Sequence, residues 1–227
     1  NVTITGTTGS KIAGVDYGVV LKSGAALTVN GDVTIEAVYK EYDYEFGSYE
    51  SKTGIGIYTN PGEANITING ATVKGLRLGG GSVVVNSGKV TDKVDLYSGS
   101  ITFKKDVTVP DEIINAKAKI NAADGSVTYY SRFKNAVDNA EDGETVISLQ
   151  DQSLYISEAL TISSGKTFTI DLGMYSLEWA KSYNHASGIT LTAGHVTIKG
   201  TGTLTANAIF VSGDATLTVD GVTVIVN

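Results

Sequence analysis

Cysteine is absent from the 227 residues. That excludes disulfides, zinc–thiolate centres and cysteine nucleophiles. Proline occurs twice, and Arg77 and Arg132 are the only arginines. Phosphate and carboxylate recognition leans on guanidinium forks, so neither is expected here. Lys plus Arg number 17 against 24 Asp plus Glu, a net charge of -7, which argues against a nucleic-acid partner. No apolar run reaches 18 residues, so no membrane span is expected. Neither a signal peptide nor an initiator Met is present. Residues 1–4 and 222–226 open and close in mid-pattern, so the segment reads as cut from a longer repeat protein. Metalloprotease, P-loop and nucleophile-elbow patterns are missing. No Asp-Asp pair occurs, and no His/Asp/Glu group has metal-ligand spacing. Neither a metal nor a cofactor is expected.

What the chain has is glycine, 27 of them, and a recurring phrase: a Gly, then apolar residues at every second position, then a polar turn. Leu27, Val29 and Asn30-Gly31 make one copy, Ile66, Ile68 and Asn69-Gly70 the next, and Val83, Val85 and Asn86 a third. Phe168, Ile170 and Asp171, then Val196, Ile198 and Gly200, then Leu217, Val219 and Asp220-Gly221 repeat it. Alternation of this kind marks strands with one buried face, and a period of roughly 20 residues marks a solenoid. Asn-Gly between strands also fits a hairpin. The recurrence of Asn30, Asn69 and Asn86 at one place in successive phrases favours coils instead. Stacked at a corner, these residues form an amide ladder, and Asn tolerates the left-handed backbone such a corner needs.

The period and turn chemistry resemble the right-handed parallel β-helix of pectate-lyase-like proteins and bacterial surface repeats. The fold expected is all-β: a right-handed parallel β-helix solenoid of roughly 20 residues per coil, with a short helical cap opening a second module. Residues 1–110 form the first module, with an insertion at 36–53. Residues 111–126, polar and rich in Ala and Asn, read as a linker. Residues 127–227 form the second module, with a cap helix near 131–140 and an insertion at 178–187. Phe133, Ala136, Val137 and Ala140 fall on one helical face, Ser131 is placed to cap the start, and Glu141-Asp142-Gly143 ends it. Solenoids need such caps. Tyr129 and Tyr130 are expected to pack beneath it. The stretch 133–149 resembles the opening of β-helix domains in exported proteins of anaerobic bacteria, which implies an extracellular or cell-wall setting.

Both modules interrupt the repeat at an equivalent corner. The first excursion carries Tyr39, Tyr42, Tyr44, Phe46 and Tyr49 among five carboxylates and two lysines. Aromatic faces beside carboxylates suit sugars. A β-hairpin with its aromatic side packed down and its charges in water fits the alternation at Tyr42, Tyr44 and Phe46 and is the favoured reading of the segment. A calcium site is disfavoured, because an alternating strand splays its carboxylates. The second excursion carries Trp179, Tyr183 and His185. Trp179 is either a lid over the interior or an exposed stacking platform. These eight residues are the ligand-contact candidates. No catalytic residue is assigned.

The function expected is a non-catalytic structural or adhesive module of a bacterial surface protein, contacting glycans or cell-surface partners through the aromatic excursions. The alternatives are a polysaccharide lyase or glycoside hydrolase of the β-helix class, with a paired-carboxylate site assembled from distant coils, and a phage tail-fibre or spike segment, which implies a trimer.

Overall fold

The structure is a computed structural model, and it describes residues 1–155, 158–180 and 187–227. The chain is predominantly β, and most strand pairs are parallel. It divides into two compact units. One comprises residues 1–116 and 126–131, the other residues 117–125 and 132–227.

In the first unit the repeated phrase pairs with itself. Leu27 lies opposite Ile66 and Val29 opposite Ile68, and Ile66 and Ile68 lie opposite Val83 and Val85. The next partners are Ile101 and Phe103. All of these apolar residues are buried. Burying each such side chain is worth about 1.5–3 kcal/mol, so the in-register stack is the principal stabilising feature of this unit. A slip of one residue would turn every one of them to water.

The Asn-Gly pairs are not hairpin turns. The strand Ala26–Asp43 runs through Asn30-Gly31, and Ala64–Leu78 runs through Asn69-Gly70. The amide ladder is present: Asn69 Nδ2 donates to Asn30 Oδ1 at 2.8 Å and Asn86 Nδ2 donates to Asn69 Oδ1 at 2.8 Å. The left-handed backbone, however, falls on the glycines and not on these asparagines. Gly31 and Gly88 have φ of 79° and 97°. A Cβ at either would stand 2.1–2.2 Å from a backbone carbonyl oxygen of the neighbouring strand. Chirality and space both require glycine there.

The second unit holds three sets of parallel strands. Thr145–Ser148, Thr167–Gly173, His195–Gly200 and Thr216–Asp220 form one. Gln152–Leu154, Leu177–Trp179, Thr203–Ala206 and Thr223–Val226 form the second. Leu160–Ile162, Gly188–Leu191 and Ala208–Val211 form the third. The helix Phe133–Asn139 packs beside Ala118–Asn121 and the opening strands of the first and third sets. Its predicted apolar face is buried at Phe133, Ala136, Val137 and Ala140.

The expected helix cap needs correction. Ser131 does not cap the helix. Arg132 occupies that position without a side-chain bond, and Ser131 Oγ donates to the Gly99 carbonyl. Residues 111–126, read as a linker, hold two short strands. Ile113–Ile114 pairs with Val94 and Asp95, and Ala118–Asn121 pairs antiparallel with Thr145–Ser148, burying Ala118 and Ile120. The strand Val127–Tyr130 belongs to the first unit and not the second, pairing antiparallel with Ser100–Phe103. Tyr129 accordingly packs edge-on against Phe103, with ring centroids 6.2 Å apart, and burial raises its phenol pKa.

Candidate functional site

The first excursion is a β-hairpin. Val38–Asp43 pairs antiparallel with Ser48–Thr53, and Tyr42 lies opposite Tyr49. The turn is set by Asp43, whose Oδ1 accepts the Glu45 and Phe46 amides at 2.8 and 3.2 Å. This is the local carboxylate bond that favours Asp at turns. The amide of Gly54 donates to the Ala37 carbonyl at 2.7 Å and closes the base.

The aromatic side is not packed down. Tyr39, nearest the base, is half-buried. Tyr42, Phe46 and Tyr49 are exposed, and Tyr44 is 90% exposed. Tyr42 meets Tyr44 and Tyr49 edge-on, at centroid distances of 5.0 and 5.1 Å. The rings therefore brace one another and leave outer faces free. Edge-to-face pairs are worth about 0.5–1.5 kcal/mol each, enough to order a ribbon that is otherwise marginal in water. A shallow cleft of about 320 Å³ lies between Tyr42, Tyr44 and the charged residues Glu41, Asp43, Glu45, Glu50 and Lys52. Glu41 stands directly opposite Glu50, a destabilising like-charge pair, partly offset by Lys52 Nζ at 2.7 Å from Glu50 Oε2. Glu50 raises the Lys52 ammonium pKa through that bond.

Trp179 is a core residue. It is 0% exposed, and its indole Nε1 donates to the Glu158 carbonyl at 2.9 Å. A wholly buried ring offers no face to a sugar, so the stacking-platform alternative is overturned. Tyr183 and His185 lie outside the described residues. His195 is exposed at the start of its strand.

Two features escaped the sequence reading, both in the first unit. Glu36 is buried between Lys11 and Lys74, which belong to the two flanking strands. Lys74 Nζ lies 2.8 Å from its Oε2. These bonds hold the Glu36 carboxyl below the usual carboxylate range and raise Lys74. The other feature is a concavity of about 380 Å³. Tyr58, Arg77 and Asp95 occupy matching positions on adjacent strands and line it with Pro61, Gly79 and Tyr97. Arg77 Nε donates to Asp95 Oδ2 at 3.0 Å, and Asn115 Nδ2 donates to Asp95 Oδ1 at 2.7 Å. The signal for this cluster was the rarity of arginine. Only the parallel register, which carries residue 58 to 77 and 77 to 95, shows what Arg77 meets.

Among the described residues no group of three or more His, Cys, Asp or Glu side chains is placed to hold a metal ion. No helix among them is long and apolar enough to cross a membrane. No family model, curated protein or solved structure matches the chain.

Proposed function

We propose that the chain is a non-catalytic structural or adhesive module of a bacterial surface protein, extracellular or wall-attached, built as a right-handed parallel β-helix. Its hairpin contacts glycans through Tyr42, Tyr44, Phe46 and Tyr49. The observation that carries this is the exposure of the hairpin rings. Apolar faces left in water, beside carboxylates and a lysine, form a surface suited to stacking on CH groups while polar edges take hydroxyls. The coil reading draws support from the in-register parallel ladders and from the helix beside the opening strands of the second unit. The surface setting draws on the resemblance of residues 133–149 to exported β-helix domains.

Glycan-array binding by the parent and by a Tyr44→Ala, Phe46→Ala double variant tests the reading. Both side chains are exposed, so the variant leaves the core intact, and its signal is expected to fall at least about tenfold, near 1.4 kcal/mol. Equal binding by parent and variant would remove the hairpin from the account. Product release from a polysaccharide would make the chain an enzyme, and a trimeric solution mass would favour a spike segment.

A further inference from the structure

The concavity at Arg77 is built differently from the hairpin cleft. Its floor is an arginine pinned through one nitrogen. Asp95 is buried, and its two oxygens are taken by Arg77 Nε and by the Asn115 side chain. The Arg77 Nη1 and Nη2 groups make no hydrogen bond to another described residue. A guanidinium held by Nε presents its other edge as a fixed, planar pair of donors, the fork that matches two oxygens of one oxyanion. An arginine that waves in solvent loses side-chain entropy on binding. One already held by a buried carboxylate loses less.

The walls are rings. Tyr58 stacks on Tyr17 with centroids 4.7 Å apart and planes 28° from parallel, which stiffens it. Tyr97 is exposed on the other side, and Pro61 adds a third rigid apolar surface. Thr59 Oγ1 accepts the Gly79 amide at 2.7 Å and fixes the floor between them. Donors in the floor and rings at the rim ask for a ligand with one charged oxygen group on a ring whose faces are CH-rich.

We infer that this concavity is a second binding site, for a sugar ring carrying a single oxyanion, either a sulfate ester or a carboxylate. Arg77 takes the oxyanion bidentately, and Tyr97 and Tyr58 flank the ring. Asp95 is a positioning residue that holds Arg77 and does not touch the ligand. The net charge of -7 repels free anions, so the ring contacts must supply part of the affinity and inorganic sulfate alone must bind poorly.

Ligand-observed NMR titration at low salt tests this with four probes: glucose 6-sulfate, glucuronate, glucose and inorganic sulfate. One or both charged sugars are expected to bind with Kd near 1 mM, about -4 kcal/mol. Glucose and inorganic sulfate are expected to be at least about tenfold weaker. Binding of only one charged sugar identifies which oxyanion the site takes. Tyr97→Ala removes an exposed ring without disturbing the core, and Arg77→Lys keeps a cation beside Asp95 while losing the fork. Each is expected to weaken the charged-sugar titration about tenfold or more. The hairpin double variant is expected to leave it unchanged, so failure here and failure of the hairpin reading are separate results. Equal binding of glucose, equal binding of inorganic sulfate, no charged-sugar binding up to about 20 mM, or an unchanged titration in Arg77→Lys would each overturn the assignment.

Discussion

Glu36 sits almost wholly out of water between ammonium groups from the strands on either side. The hydrogen bonds from Lys11 and Lys74 lower its pKa more than burial raises it. A group that holds its proton less tightly folded than unfolded stabilises the fold when ionised. That contribution is complete above the ordinary value of 4.5 and fades as the pH falls through the lower folded value. Glu36→Gln is therefore expected to lower the urea midpoint at pH 7 and to flatten its dependence on pH below about 4.5. Denaturation curves at several pH values measure both, and an unchanged acid slope would show that Glu36 does not govern it. Trp179 makes a different point. Its place in an apolar alternation was legible, but burial depends on what lies across the interior, and the Glu158 carbonyl that takes its N–H is 21 residues away.

At the scale of the element, the phrase and its partner strands were readable because alternation and turn residues are local properties. The amide ladder was readable for the same reason. The corner geometry was not, because the left-handed step falls on the glycine one or two residues past each asparagine, and at Gly31 and Gly88 the neighbouring strand leaves no room for a Cβ. Gly88→Ala is expected to cost about 2–4 kcal/mol, combining a disfavoured φ with a clash against the Ala71 carbonyl. Urea unfolding followed by circular dichroism reads it, and a loss under about 0.5 kcal/mol would mean the corner relaxes. The strand Ala118–Asn121 was hidden by composition. Four residues with alternating Ala118 and Ile120 are too short to stand out from a polar stretch, and their partner arrives only at Thr145. The concavity at Arg77 was hidden more deeply, since its members are far apart in sequence and converge only through register.

At the scale of the whole molecule, several strands are paired on one side only among the described residues. They include Val2–Gly14 in the first unit and Thr216–Asp220 and Thr223–Val226 in the second. Residues there that align with core positions are open to water. Val226 is 57% exposed where its partner Ala206 is buried, and Val2 is 52% exposed where Leu27 is buried. Unpaired, apolar edges associate, and a charge of -7 opposes it. This 227-residue chain is expected to self-associate as pH is lowered from 7 towards its pI of about 4.8, or as salt is added. Sedimentation velocity at fixed protein concentration follows the change, and a constant mass across that range would show that the edges do not associate. One further consequence lies in the amide ladder. Its rungs are separated by 39 residues at one step and 17 at the next, yet both bonds are 2.8 Å. The 22 additional residues (39 − 17), most of them in a ribbon clasped between Ala37 and Gly54, leave the ladder undisturbed. That clasp is a natural splice point, where foreign loops or reporter peptides can be exchanged for the hairpin and displayed on an unaltered frame.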